Sequence, residues 1–218
     1  MDIKQKLCNL TNYRLNRTQD IKYIVIHYTA NNGDTASGNA NYFANNANLQ
    51  ASAHYFVDEF EIYNSVPDFS CAWHCGGTSY VHPDCRNDNA IGIEMCSRKD
   101  SNGNYYFKEG TINNAIELVK EKMVEHNIDV DHVIMHWHVT GKKCPAPFVD
   151  DESKWIDFKL KLSGEEIKIE LWQQAIIDKA VKYGLITEGQ HIATDTCPKW
   201  FVLQIVINLL EKYILKIK

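Results

Sequence analysis

The chain has 218 residues, of which 44% are hydrophobic and 23% are charged, so it is long enough to bury one sizeable core and a small second unit. Its 23 basic and 28 acidic residues give a net charge of -5 without any dense Lys/Arg block, which argues against nucleic acid as a partner. No apolar run has the length of a membrane span or of a signal peptide. We therefore expect synthesis in the cytoplasm and no membrane insertion.

The first half of the chain alternates strand and helix signals. The apolar, β-branched run 22–30 predicts a buried strand with His27 near its C-terminal end. Gly and Asn then mark a loop, and the Ala-rich stretch 37–48 predicts a helix. The segments 54–57 and 61–66 predict two strands of a hairpin.

The second half begins with a long irregular stretch, 67–89, and loops of that length in a compact domain usually carry function. A strand is predicted at 91–95, an amphipathic helix at 111–126 and a last strand at 132–137. A helix at 152–162 ends the region. The alternation indicates an α/β domain in which a mixed central β-sheet is flanked by helices.

A polar segment beginning at residue 163 separates the first domain, 1–162, from the rest of the chain. Two amphipathic patterns predict a small C-terminal helical unit in 163–218. Some fifty residues are too few to bury both apolar faces. We expect this unit to pack on the first domain or to form a homodimer with a second copy.

Seven cysteines are an odd number in a chain that does not need disulfides to fold, so reduced thiols are expected. Four of them are close enough in sequence to be considered as a structural zinc site: Cys71, Cys75, Cys85 and Cys96. Their spacings of four, ten and eleven residues match none of the tight paired motifs. At least one cysteine should therefore be free or bound to metal elsewhere.

Three other side chains offer the ligands of a catalytic zinc site, which needs three protein donors and one open position. His27 and His136 lie near the ends of two predicted strands, and Cys144 follows eight residues after His136. Strand ends and an adjoining loop can converge on one edge of a sheet. Taken singly, each residue is more typical of a hydrogen-bonded histidine or a buried cysteine, and His138 is a rival ligand.

Five ordered segments within residues 20–150 carry a resemblance: IVIHYTA, SAHYFVDE, AWHCGG, NAIGIEMC and VIMHWHVTGKKCPAPF. Together they resemble the N-acetylmuramoyl-L-alanine amidase family, the zinc amidases related to T7 lysozyme and the peptidoglycan recognition proteins. The segments are most similar to endolysins and autolysins of Firmicutes and their phages. The resemblance implies one Zn²⁺ held by His27, His136 and Cys144, since the family spacing of eight residues favours His136 over His138.

The resemblance also implies catalytic residues. In its strand, Glu94 projects from the face opposite to the alternating apolar residues, and the family glutamate at this position is the proposed general base. Lys142 matches a lysine proposed to stabilise charge on the carbonyl oxygen. Some members carry a tyrosine where this chain has Ala53, which makes Glu94 more necessary. The alternatives are a buried ion pair for Glu94 and a solvated loop lysine for Lys142.

His74 matches a family position near the active-site cleft, with Trp73 beside it, so the resemblance implies that the two contact substrate or that His74 supports the transition state. A buried, hydrogen-bonding histidine is the alternative for His74. The implied reaction is hydrolysis of the amide between N-acetylmuramic acid and L-alanine in bacterial peptidoglycan, at the cell wall after release from the cytoplasm.

Two other functions compete with that reaction. A non-catalytic peptidoglycan-recognition protein of the same fold commonly lacks the cysteine ligand, and here Cys144 is present. A zinc peptidase would need an HExxH helix, and the sequence has none. The C-terminal unit resembles, over at most one repeat, a surface-layer homology module, so cell-wall binding is an alternative to dimerisation.

Overall fold

The computed structural model describes residues 2–164, together with 181 and 182. The chain divides into two units, Met1–Glu165 and Glu166–Lys218, and the first is the domain described below. The two helices predicted in the C-terminal unit lie outside the described residues except for 181 and 182. The boundary and role of that unit therefore stay predictions.

Six strands form one mixed sheet, and four shorter ones form two small antiparallel pairs. The ten strands of the described residues are Ile3–Gln5 (β1), Tyr13–Arg14 (β2), Tyr23–Tyr28 (β3), Tyr55–Val57 (β4), Ile62–Asn64 (β5), Cys71–Ala72 (β6), Ala90–Met95 (β7), Arg98–Lys99 (β8), Tyr105–Tyr106 (β9) and Val133–Met135 (β10). The main sheet has the order β1-β5-β4-β7-β3-β10. Its neighbours are parallel except β4 and β5, which form the predicted hairpin.

Helices cover both faces of this sheet, which confirms the predicted α/β class. The α-helices of the described residues are Ala36–Asn45 (α1), Glu109–Glu125 (α2), His136–Thr140 (α3), Ala146–Val149 (α4) and Glu152–Ser163 (α5). The Thr35 side chain begins α1 by accepting the Gly38 N–H at 3.0 Å, as N-cap residues do. Gly164, in the left-handed conformation at φ 69°, ends α5.

The two faces of the sheet bury different things because side chains alternate along each strand. On one face, Ile26 of β3 and Ile93 of β7 belong to the main core together with residues of α2, α4 and α5. On the other face, Phe56 of β4 packs with Ala36 and Ala40 of α1. The second face also carries His27 and Glu94, so the polar site shares a face with α1.

Three local predictions were wrong. The last strand ends at Met135 rather than 137, because His136 begins α3 and the His138 ring accepts the Met135 N–H at 3.0 Å. Helix α1 ends at Asn45 rather than 48, since Asn48 adopts a left-handed φ of 59°. Strands β1, β2, β6, β8 and β9 were not predicted.

The cysteines of the described residues are free and buried, in agreement with the expected reduced thiols. The four considered for a structural zinc site do not assemble into one donor group there. Among the same residues, no helix combines the length and apolar character needed to cross a lipid bilayer.

Candidate active site

The C-terminal ends of three adjacent parallel strands bring the predicted ligands together. His27 lies at the fifth position of β3, directly opposite Glu94 of β7, and His136 follows the last residue of β10. Ligand sites of open α/β sheets commonly lie at the carboxyl ends of strands. The topology therefore converges residues from sequence positions 27, 94 and 136 on one edge.

Cys144 reaches the same edge through the loop after α3. That helix ends at Gly141, whose positive φ of 77° turns the chain back. The Trp137 N–H then donates to the Cys144 carbonyl oxygen at 2.8 Å, which fixes the returning segment against α3. The Cys144 Sγ lies 3.7 Å from the His27 Nδ1.

His27, His136 and Cys144 form a buried donor group whose ligand atoms lie within 4.8 Å of one another. The rings of His27 and His136 have centroids 4.7 Å apart. Neither ring nitrogen of His136 has a hydrogen-bond partner of good geometry in the described residues, although the Gly76 main chain lies near the ring. Buried polar atoms are seldom left unpaired, so these nitrogens fit a metal ligand.

The charge states of this group also fit a metal. Burial lowers the pKa of His136 to about 4 and that of His27 well below its ordinary value, so both imidazoles are neutral and keep a lone pair. Burial raises the pKa of the Cys144 thiol to about 12, with Glu94 adding to the effect. A soft thiolate and two imidazoles suit zinc. Since thiolate is the ligand form, we expect metal binding to release a proton from Cys144.

Glu94 stands beside the donor group at the floor of the cleft. Its side chain is 22% exposed, and one carboxylate oxygen lies 4.0 Å from the His27 Nδ1. The other oxygen is buried without a hydrogen-bond partner among the described residues. Burial raises the pKa of Glu94 to about 8, against the opposing charge of Lys142. A carboxyl group with such a pKa can exchange protons near neutral pH.

Lys142 is exposed on the loop before Cys144 and lines the same cleft. It makes no ion pair with a described residue, whereas its neighbour Lys143 pairs with Asp150 at 2.5 Å. Its charge contributes to the lowered pKa values of His27 and His136. Of the two lysines, Lys142 is therefore the one available to the cleft.

The cleft itself has a volume of about 850 Å³, and the donor group forms part of its floor. Tyr42 and Phe43 of α1 line one side, and Ala53 and Trp73 line another. The Trp73 N–H donates to the Ser52 Oγ at 2.9 Å, which holds this wall in place. Ala53 brings only a methyl group to this wall.

His74 lies largely buried, at 8% exposure, with its Nδ1 3.0 Å from the His27 Nε2. This contact with a ligand was not expected from the sequence, where His74 was assigned to substrate contact or transition-state support. The residue that could have indicated this contact is Gly92 of β7, which lies against the His74 ring. A Cβ at that position would come within 2.4 Å of the His74 Cγ. The rival ligand His138 joins no donor group in the described residues.

The chain is similar to proteins of known family. A family profile described as N-acetylmuramoyl-L-alanine amidase matches residues 17–147. A probable N-acetylmuramoyl-L-alanine amidase of Bacillus licheniformis is 35% identical over 150 residues, which cover 65% of this chain and 41% of that protein. The chain thus matches less than half of this relative's length.

Solved structures extend the comparison. The catalytic domain of XlyA, an N-acetylmuramoyl-L-alanine amidase of Bacillus subtilis, superposes with a TM-score of 0.61 at 32% identity, covering 74% of this chain and 99% of that domain. A mutant endolysin from Bacillus subtilis gives 0.61 at 33% identity, with 74% and 99% covered. On the profile match across residues 17–147 and these similarities, the chain belongs to the N-acetylmuramoyl-L-alanine amidase family.

Proposed function

We propose that the chain is a zinc-dependent N-acetylmuramoyl-L-alanine amidase that hydrolyses the amide between N-acetylmuramic acid and L-alanine in bacterial peptidoglycan. The observation that carries the proposal is the buried group of His27, His136 and Cys144 at the floor of an open cleft, beside Glu94. Two imidazoles and one thiolate leave an open position for chemistry, as in catalytic zinc sites. The similarity to amidases supports the choice of substrate.

Each residue of the site then has a role. When bound, zinc supplies a Lewis acid that polarises the scissile carbonyl and acidifies water. Glu94, close to the His27 Nδ1, accepts the proton of the attacking water and passes it to the leaving amine. Lys142, which has no ion pair among the described residues, places a positive charge near the developing oxyanion. Trp73 and Tyr42 shape the walls that hold the glycopeptide.

The biological setting follows from the same proposal. Similarity to amidases and to an endolysin supports a lytic enzyme made in the cytoplasm that acts on the cell wall after release. We propose a catalytic domain at 1–162 and a wall-binding or dimerising unit at 163–218, with peptidoglycan as the partner. A non-catalytic recognition protein is the competing hypothesis, and the presence of Cys144 in the donor group favours the enzyme.

Replacing Cys144 by serine tests the metal site. We expect the Cys144→Ser variant to lose stoichiometric zinc and turnover, because a hydroxyl is a poor ligand for this ion. Cys8→Ser is the matched control, since Cys8 is equally buried, belongs to no donor group among the described residues, and donates to the Phe43 carbonyl oxygen in a bond that serine can keep. Elemental analysis gives the zinc content. A folded Cys144→Ser protein with full zinc and full activity would contradict the assignment.

Product analysis on defined muropeptides tests the reaction. We expect a free stem peptide with an L-alanine N-terminus and an unmodified glycan, and mass spectrometry identifies both. The Glu94→Gln variant should keep its zinc and lose turnover by a factor on the order of 10² or more. Intact muropeptides would instead support the recognition protein, and cleavage within the stem peptide would support a peptidase.

A further inference from the structure

The two ring nitrogens of His27 have different neighbours, and the inference drawn from them rests on the proposed zinc site. The Nδ1 of His27 faces the Cys144 Sγ at 3.7 Å, so it is the atom directed at the donor group. The Nε2 lies on the other side of the ring and points to the Nδ1 of His74 at 3.0 Å. A neutral imidazole carries one proton, so the partner of Nε2 decides whether Nδ1 keeps a lone pair.

His74 has only one arrangement that satisfies all its neighbours. Its Nε2 lies 3.4 Å from the carbonyl oxygen of Ala90, and a carbonyl oxygen accepts hydrogen bonds but cannot donate them. The proton of His74 therefore belongs on Nε2, and its Nδ1 is an acceptor. It follows that the His27 Nε2 carries a proton and donates it to His74. The His27 Nδ1 is left with its lone pair toward the cleft.

Neighbouring groups agree with this assignment. The Cys75 Sγ lies 3.1 Å from the His74 Nδ1, but its thiol also hydrogen-bonds with the Cys85 side chain, so the single lone pair of the His74 Nδ1 is left for His27. No carboxylate contacts the His74 ring in the described residues, so nothing nearby favours a second proton. A metal held instead by His27, His74 and Cys75 would need the His27 Nε2 as a lone-pair donor, in place of the hydrogen bond between the two rings.

The fold also holds the His74 ring in place. The Asn87 side-chain oxygen accepts the main-chain N–H of His74 at 3.0 Å and that of Cys75 at 2.7 Å. The ring lies over Gly92, where even a methyl group would overlap it. The His54 ring packs edge-on against it with centroids 5.5 Å apart. An arrangement built from this many contacts resists rotation of the ring.

We propose that His74 is a positioning residue that fixes His27 as the Nε2–H tautomer and so presents the His27 Nδ1 to the metal. His74 acts through His27 and does not itself hold the metal. Partners of this kind orient a ligand and increase its basicity, and their loss typically weakens metal affinity by about 10- to 100-fold. The hydrogen bonds run from His27 to His74 and from His74 to the Ala90 carbonyl oxygen, which belongs to the main chain two residues before Gly92.

The first test reads the tautomer directly. Long-range ¹H–¹⁵N NMR of the full-length chain, with and without added zinc, reports which nitrogen of His27 carries the proton. We expect a protonated His27 Nε2 in both forms. A protonated Nδ1 in the metal-free chain would overturn the proposal. Because that measurement needs neither metal nor activity, its failure is distinct from a failure of the proposed amidase function.

The second test compares two substitutions of one residue by competition with a zinc chelator. His74→Leu removes the acceptor and should weaken zinc affinity by about 10- to 100-fold. His74→Asn can place an amide oxygen near the position of Nδ1 and should recover most of that loss. His138→Asn is the control, because His138 is also a partly buried histidine but contacts no ligand side chain, and it should bind zinc like the unmodified chain.

Two outcomes would refute the positioning role. Folded His74→Leu protein with unchanged zinc affinity would show that the contact has no effect on the metal. Equal losses in His74→Leu and His74→Asn would show that the ring fills space and that the hydrogen bond is irrelevant. If His74→Leu does not fold, the comparison of His74→Asn with the unmodified chain and the NMR measurement still decide the proposal.

Discussion

Glu94 gives a quantitative prediction about the stability of the metal-free protein. Its pKa is raised from an ordinary 4.5 to about 8 by burial, so at neutral pH the folded chain keeps a proton that the unfolded chain releases. Stability linked to Glu94 is therefore greatest at low pH and falls as the pH rises from about 4.5 to about 8. A Glu94→Gln substitution removes this dependence, because the amide has nearly the same shape and does not ionise.

The size of the effect follows from the pKa. Each pKa unit corresponds to about 1.36 kcal/mol. A rise of two pH units that stays below the folded pKa therefore lowers the free energy of unfolding by at most about 2.7 kcal/mol. Half-ionisation of folded Glu94 at pH 8 reduces the change between pH 6 and pH 8 to about 2 kcal/mol. With 22% of the side chain exposed, solvent lowers this figure rather than raising it.

Urea unfolding of both metal-free proteins at pH 6 and pH 8 measures the effect. We expect the free energy of unfolding of Glu94→Gln, relative to the unmodified chain, to increase by about 2 kcal/mol over this range. Titration of the histidines is common to both proteins and cancels in the difference. A difference that stays constant with pH, or that shrinks toward pH 8, would show that Glu94 is ionised in the folded protein and would refute the reasoning.

Four further predictions concern the site and the domain boundary. Lys142→Ala should lower turnover by a factor of about 10 to 10² with unchanged zinc content in steady-state assays, and loss of zinc would contradict its electrostatic role. Gly92→Ala should displace the His74 ring and weaken zinc binding by about tenfold in chelator competition, whereas unchanged affinity would contradict the required close approach. Burial lowers the pKa of His74 to about 3 and that of His136 to about 4, from an ordinary 6.5. At pH 5 both histidines are therefore protonated in the unfolded chain but neutral in the folded one, so each histidine should lower the free energy of unfolding of the metal-free protein by about 2 kcal/mol. Urea titrations of the Glu94→Gln variant, which lacks the opposite pH dependence of Glu94, would contradict this if they were flat between pH 7 and pH 5. Truncation after Gly164 should leave a folded, zinc-binding domain that cleaves soluble muropeptides but sediments less with cell walls, and an aggregated, metal-free product would show that the two units share a core.

The sequence alone determined those features that depend on local periodicity and on motif spacing. Alternation along β7 places Glu94 opposite the core-facing Ile93, because successive side chains of a strand point to opposite faces. The resemblance of the eight-residue spacing between His136 and Cys144 to that of the amidase family pointed to a pair that the structure brings into one donor group. Buried parallel strands were recognisable as short apolar, β-branched runs for the same local reason.

Only the tertiary structure decided the features that depend on distant segments meeting. The polar strand β1 is ordered by pairing with β5, some 59 residues away, and the residue pattern of β1 does not predict that pairing. His136 begins a helix because its neighbours exchange hydrogen bonds at the end of the sheet, which strand propensity does not report. The contact between His27 and His74 exists because Gly92 lets the ring approach the sheet closely. Such contacts are set by shape and by main-chain partners far along the chain, so they leave no periodic trace in the sequence.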